Sequence, residues 1–269
     1  MRRDFHVFAL GLLCVSLLCG LAAPVARATD GPRPYGAYID GPWGQIHVRV
    51  AGKSTDPTVI LVHMMVWSSE QFHFGQLALA QRGIRSIAID IPGYGMSDGP
   101  PTLPNAYQYA ESFVPVLRYF GLRSANFLGS NTGAAFIAAF ADAHPEMVKS
   151  LILEGPTIWN AKDLADLVAG EYADEIPDAD GRMVLNRPNA WFAHDAVFKF
   201  RMEPVLKRIK VPVMILTYPG QLLYRTALSV KKMHPMFTLT VLDWNGAAPC
   251  FDNPELWADA VAKYIKQQP

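Results

Sequence analysis

Cysteine is scarce in this sequence. Only three occur in 269 residues, and two of them, Cys14 and Cys19, lie in the first 28. Cys250 alone cannot form an internal disulfide, and no cluster of His, Cys and Asp shows the spacing of metal ligands. Excess charge is lacking too, since 24 basic residues balance 24 acidic ones. We therefore predict no metal, no cofactor and no nucleic-acid partner.

Long apolar runs are also absent, apart from residues 7–21 near the start. Arg2 and Arg3 precede this run, which is too short to span a bilayer comfortably. The pattern Ala26-Arg27-Ala28 follows, so we predict a signal peptide over 1–28 with cleavage after Ala28. An uncleaved anchor is the alternative. Cleavage would leave no membrane span, a net charge of about −2 and a secreted or periplasmic protein, exported by the general or the twin-arginine route.

The pattern of residues 29–269 predicts one domain with a mostly parallel sheet. An opening hairpin surrounds Gly41-Pro42-Trp43-Gly44, and near-continuous apolar runs then alternate with amphipathic helices. Strands that are buried on both faces have this composition. The predicted later strands are Thr58–His63, Ser86–Asp90, Asn126–Leu128, Ser150–Leu153, Val211–Leu216 and Leu239–Leu242. The predicted helices are Glu70–Gln81, Ala106–Phe120, Gly133–Ala143, Tyr224–Met233 and Pro254–Lys266.

Residues 157–210 interrupt this alternation. They are rich in Glu, Asp, Trp, Phe and Pro and contain no clear strand. We interpret them as an inserted helical cap over the carboxyl end of the sheet, where open α/β sheets bind ligands. An ordinary helix that covers the sheet is the alternative.

The stretch Gly129-Ser130-Asn131-Thr132-Gly133 follows one predicted strand and opens a helix. The nucleophile elbow G-x-S-x-G occupies such a position. Its outer glycines allow the helix and strand to approach closely, and its central residue adopts a strained positive φ, which asparagine tolerates. The sequence therefore predicts an elbow with Asn131 at the apex.

Other segments agree with this interpretation. Residues 90–98 read D-I-P-G-Y-G-M-S-D, and residues 61–65 read L-V-H-M-M. Together with the elbow, they resemble the α/β-hydrolase superfamily from about residue 36 to 267. The resemblance implies an α/β-hydrolase fold: a mostly parallel sheet flanked by helices, with a helical cap insertion.

The same resemblance assigns three positions to the catalytic triad, and none holds a suitable residue. The nucleophile position is Asn131, the acid position is Gln221 or Leu222, and the base position is Ala247. Triad chemistry needs a nucleophile, a base and a carboxylate that orients the base. We therefore predict that triad hydrolysis is absent.

The rest of the predicted site follows from the elbow. The backbone N–H groups of Met65 and Thr132 correspond to oxyanion-type donors. Most of the remaining candidates are ring-bearing side chains near the elbow and in the cap. The pocket candidates are His63, Met64, Trp67, Ser130, Trp159, Trp191, His194 and Tyr218.

Three hypotheses about function remain, and the third is a conventional esterase or lipase whose triad lies at positions other than those assigned. The first is an exported protein that binds a small, partly apolar ligand without hydrolysing it. The second is a divergent enzyme of the same fold (a hydrolase, lyase or cyclase) that uses acid–base residues outside the triad. Its candidate residues are His63, His194, Asp195 and Tyr218.

Overall fold

The structure is a computed structural model that describes residues 34–65, 67–159, 162, 164–165 and 191–268. The predicted signal peptide lies outside these residues, as does most of the predicted cap. Among the described residues, no helix has both the length and the apolar character needed to cross a membrane.

Within the described residues, eight strands form one mostly parallel sheet, as the sequence predicts. Their order across the sheet is β1-β2-β4-β3-β5-β6-β7-β8. The first two strands form the predicted hairpin, and β2 pairs antiparallel with β4, whereas every later pair is parallel. The strands are β1 Tyr35–Gly41, β2 Gly44–Ala51, β3 Thr58–Val62, β4 Arg85–Ile89, β5 Ala125–Ser130, β6 Val148–Glu154, β7 Val213–Thr217 and β8 Thr238–Val241.

Alternate residues of the central strands enter two separate cores. In β3, Ile60 and Val62 pack into one core, and Val59 and Leu61 pack into the other. Helices cover both faces, so every residue of β3 is buried. This explains why the central strands read as continuous apolar runs in the sequence.

The helices of the described residues follow the predicted alternation, but the helix predicted over 70–81 begins with a 3-10 helix at Ser69–Phe72, and a short helix at Pro249–Asp252 was not predicted. The single helix predicted over 106–120 is two helices that meet at Ser112. Pro115 accounts for the break, because it has no N–H to donate to the carbonyl of Glu111 and its ring clashes with that turn. The helices are α1 His73–Gln81, α2 Ala106–Glu111, α3 Phe113–Tyr119, α4 Thr132–Ala143, α5 Phe192–Lys199, α6 Met202–Leu206, α7 Tyr224–Met233, α8 Pro249–Asp252 and α9 Pro254–Lys266.

Candidate functional site

Asn131 forms a sharp turn between β5 and α4. Its backbone has φ 46° and ψ −108°, and it is the only non-glycine residue with a positive φ in the part of the chain that the structure describes. Its N–H donates to the carbonyl of Glu154 at the end of β6 (2.7 Å). The strained turn that the sequence predicts is therefore present, anchored to the neighbouring strand.

The glycines on either side of the turn are required by close packing. A Cβ added at Gly133 would overlap the carbonyl of Val62, and one added at Gly129 would overlap the backbone of Gly133. Helix α4 can therefore begin directly against β3 and β5 only if both positions are glycine.

We expect Gly133→Ala to lower the free energy of unfolding by about 2 kcal/mol, because the added methyl group must displace backbone atoms. Urea denaturation at neutral pH measures the loss. Gly121→Ala is a useful comparison, because no atom lies within 4 Å of an added Cβ there and its cost would come only from the φ of 66°. An equal loss in both variants would contradict the role assigned to close packing.

The residues at the three assigned triad positions line one cavity of about 310 Å³ at the carboxyl end of the sheet. Gln221 is buried, and its Oε1 accepts a hydrogen bond from Thr217 Oγ1 (2.6 Å). Leu222, the alternative acid position, is 72% exposed at the rim. The wall consists of Met64, Met65, Gln71, Ser130, Asn131, Glu154, Tyr218, Gly220, Gln221, Leu222, Ala247, Ala248 and Cys250.

The amide of Asn131 is only partly satisfied. Its Nδ2 lies 3.5 Å from the Sδ atom of Met64, whereas its Oδ1 is buried without a hydrogen-bond partner among the described residues. Met64 lines the cavity beside it, as predicted. A buried acceptor without a donor is costly. The cavity therefore presents an unused acceptor at the apex of the turn.

Glu154 is the residue of this site that the sequence analysis missed. It is 2% exposed, lines the cavity, and neither carboxyl oxygen has a hydrogen-bond partner among the described residues. Burial raises the pKa of this carboxyl to about 7; Ser130 and Trp257 lie nearby and oppose the rise, but neither makes a well-formed hydrogen bond to it. A cavity carboxyl with such a pKa can exchange a proton near neutral pH.

Two further groups that could carry charge in this cavity are held neutral. The Tyr218 hydroxyl donates to the carbonyl of Ala247, and burial raises its pKa. The thiol of Cys250 lies 3.5 Å from the carbonyl of Gln71, and burial raises its pKa well above the usual value. Tyr218 is a cavity residue, as predicted, but it is not available as a base.

His63 does not line the cavity. Its Nδ1 donates to the carbonyl of Met64 (2.8 Å), and its Nε2 accepts the N–H of Ile91 (3.0 Å). The ring is fully buried, and burial lowers its pKa to about 4. The prediction of His63 as a pocket or acid–base residue is therefore wrong: it is a neutral imidazole that joins the loops after β3 and β4.

The two predicted backbone donors differ. The N–H of Met65 donates to the Oγ1 of Thr132 (2.8 Å), so it is already used and the prediction of a free donor there is wrong. Thr132 is the first residue of α4, and its own N–H has no helical carbonyl to bond. Thr132 is not part of the described wall of the cavity, so the donor role of its N–H stays a prediction.

The tryptophan candidates and His194 pack against other rings, and none of them belongs to the described wall of the cavity. Trp67 contacts Phe251, and Trp191 contacts Phe192 (centroid distances 6.1 and 4.7 Å). Trp159 and His194 both pack against Phe198 (6.4 and 5.5 Å). These four residues are therefore not part of the described wall, although the sequence predicts them as pocket residues.

Asp195, the remaining acid–base candidate, lines a different cavity of about 550 Å³ and pairs with Lys199 (2.7 Å). Of the acid–base candidates chosen from the sequence, only Tyr218 reaches the elbow cavity. The described residues contain no group of three or more His, Cys, Asp and Glu side chains that could hold a metal ion.

Fold and sequence comparisons agree with this architecture. The sequence model of the family described as "alpha/beta hydrolase fold" matches residues 57–202, and the chain belongs to this family. An esterase from Exiguobacterium antarcticum superposes with a TM-score of 0.70 at 19% identity, covering 87% of this chain and 100% of that one. A hydrolase from Pseudomonas aeruginosa gives 0.69 at 18%, covering 86% and 98%.

The curated relatives match over shorter stretches. A 2-hydroxy-6-oxononadienedioate/2-hydroxy-6-oxononatrienedioate hydrolase of Pseudomonas sp is 32% identical over 42% of this chain and 40% of its own length. A bifunctional epoxide hydrolase 2 of Sus scrofa is 29% identical over 51% and 25%. A carboxylesterase of Bacillus subtilis is 25% identical over 64% and 55%. The matches to the first two thus span only a quarter to two fifths of those proteins.

Proposed function

We propose that this chain is an exported member of the family that binds a small, partly apolar ligand without hydrolysing it. The observation that carries the proposal is the composition of the elbow cavity. No histidine occurs among the described residues of its wall, and Asn131, Gln221 and Ala247 stand at the positions assigned to the triad. An amide apex is not a nucleophile, and no imidazole is present to accept a proton.

The cavity itself supports binding. Its volume of about 310 Å³ lies at the lower end of the range for small-molecule sites. Met64, Met65, Leu222, Ala248 and Cys250 supply apolar wall, and Asn131 and Glu154 supply unused polar atoms. An apolar pocket with a few convergent polar groups fits a ligand that has one polar end.

We expect no turnover of short-chain nitrophenyl esters by the purified protein above the rate of its Asn131→Ala variant. The reason is that removal of the amide would remove no nucleophile. Release of nitrophenolate, followed at neutral pH, measures the rate. Activity that Asn131→Ala abolishes would contradict the proposal.

Binding is tested by native mass spectrometry of the purified protein and by thermal shift with small apolar amines, alcohols and acids. Ala247→Phe should fill the cavity and abolish any ligand-dependent shift. Ala143→Phe is the matched control, because Ala143 is exposed like Ala247 but lies at the end of α4, outside the cavity wall. If both variants retain the shift, the ligand does not occupy this cavity.

A divergent enzyme remains the second candidate, and Glu154 is the observation that favours it. A cavity carboxyl with a pKa of about 7 is suited to general acid–base catalysis. Turnover that is lost in Glu154→Gln but kept in Asn131→Ala would support an enzyme of this kind over a binding protein.

A further inference from the structure

We propose that the elbow cavity binds a ligand with a primary ammonium head group, with Glu154 as its counter-ion and Asn131 Oδ1 as a second acceptor. This inference rests on the proposed binding function and specifies the chemistry of the ligand. It follows from the unused hydrogen-bonding atoms that the cavity presents.

Three unused acceptors lie around the inner end of the cavity, and the indole N–H of Trp257, also buried without a partner among the described residues, is a single donor beside Glu154. Both carboxyl oxygens of Glu154 and the Oδ1 of Asn131 are buried and have no partner among the described residues. Two donors of this region are engaged, since the Tyr218 hydroxyl donates to Ala247 and the Met65 N–H donates to Thr132. A primary ammonium supplies three N–H donors and no acceptor, so it complements this set.

The position of Glu154 favours a cation over a neutral donor. The carboxyl already lost its hydration when the protein folded, so a ligand would find it desolvated and fixed in place. A buried carboxylate is stabilised chiefly by a paired positive charge. No described residue of the cavity wall is Lys, Arg or His, so the pairing charge has to come from the ligand.

The remaining wall defines the rest of the ligand. Met64, Met65 and Ala248 offer apolar surface, and Leu222 lies exposed at the rim. This arrangement fits a short alkyl chain that runs from the buried head group toward solvent. The ligand class is therefore a small aliphatic primary amine.

The binding should depend on pH through Glu154, because burial raises the pKa of its carboxyl to about 7. The groups that face this carboxyl are Ser130 from β5, Tyr218 after β7, Cys250 from α8 and Trp257 from α9. Burial raises the pKa of both Tyr218 and Cys250, so they stay neutral between pH 6 and 8. Asp252 is exposed on α8 and its charge is screened by solvent.

The test measures binding of n-hexylammonium and of 1-hexanol to the full protein by calorimetry at pH 6 and pH 8. The ammonium keeps its proton throughout, since aliphatic amines titrate near a pKa of about 10.4. We expect n-hexylammonium to bind about tenfold more tightly at pH 8, where Glu154 is ionised, than at pH 6. Hexanol should bind more weakly and with no pH dependence.

Glu154→Gln should abolish the preference for n-hexylammonium and retain hexanol binding, whereas Glu146→Gln, at an exposed glutamate, should leave both unchanged. The wild-type pH comparison stands on its own if the Glu154 variant does not fold. Equal binding of both probes, or hexanol binding alone, would overturn the ammonium inference and leave the binding function intact. If neither probe binds and no compound is found with the purified protein, both proposals fail.

Discussion

The change in the free energy of unfolding caused by Glu154→Gln should be about 3 kcal/mol more favourable at pH 8 than at pH 4.5. In the folded protein, burial raises the pKa of this carboxyl from 4.5 to about 7. That difference corresponds to about 3 kcal/mol of folding free energy. Comparing the two pH values cancels any fixed cost of burying the amide.

The sign follows from the protons bound by each state. Between pH 4.5 and 7, the folded protein holds a proton on Glu154 and the unfolded chain does not, so stability falls as the pH rises. Below this window both states are protonated, and above it both are ionised. The contribution of Glu154 is therefore most favourable at acid pH and is fully lost above about pH 7.

Urea denaturation of both proteins from pH 4.5 to 8 measures this effect. Glu146→Gln is the control, because the Glu146 side chain is 70% exposed. A difference between wild type and Glu154→Gln that stays constant across this range would show that Glu154 does not titrate as described.

The second large effect concerns His63. We expect His63→Ala to lower the free energy of unfolding by about 3–5 kcal/mol at pH 7, because it leaves a cavity and removes both hydrogen bonds of the ring. The carbonyl of Met64 and the N–H of Ile91 would each lose a buried partner. His144→Ala is the control: its ring is part-exposed, and its ion pair with Glu111 lies at the surface, where such pairs contribute little.

His63 also contributes a pH dependence opposite to that of Glu154. Burial lowers its pKa from 6.5 to about 4. Its contribution is therefore complete above pH 6.5 and is lost as the pH falls toward 4, by about 3 kcal/mol. The penalty of His63→Ala should shrink by that amount between pH 7 and 4. An unchanged penalty would contradict a neutral, depressed imidazole.

The two groups titrate in overlapping windows, so their effects on wild-type stability largely offset each other between pH 4.5 and 6.5. In Glu154→Gln, only the pH dependence due to His63 should remain, so the free energy of unfolding should rise with pH across this range. In His63→Ala, only the pH dependence due to Glu154 should remain, so the free energy of unfolding should fall as the pH rises.

The sheet was predictable from sequence because each central strand is buried on both faces. Burial of this kind requires an unbroken apolar run, and β3 provides one. The turn at Asn131 was predictable for a related reason, since two glycines around an asparagine meet the needs of close packing and positive φ together. Pro115 could have revealed the helix break, but the amphipathic pattern continues across it.

The polar interior of the site was much harder to predict. Glu154 directly follows the apolar run Ser150–Leu153, and a charged residue at a strand end is usually solvent-exposed. Its burial depends on Tyr218, Cys250 and Trp257, which come from distant parts of the chain. No local pattern records such contacts. A carboxylate at the carboxyl end of a buried parallel strand was the one available signal.

The tryptophan candidates were chosen on a weaker basis than Tyr218, which lines the cavity. Trp67, Trp159 and Trp191 were selected by residue type and approximate position. Aromatic side chains can pack against one another as well as against a ligand. For example, the ring of Phe198 packs against both Trp159 and His194. Such pairing follows from the fold and cannot be inferred from composition.

The hydrogen bond from the Met65 N–H to Thr132 Oγ1 has a consequence for the rate of ligand binding. This hydrogen bond joins Met65, which follows β3, to the first residue of α4 and so holds Met65 in place. A ligand of the proposed kind would therefore not need to order Met65 when it binds. Association should be a single step that depends linearly on ligand concentration, with no slow rearrangement behind it.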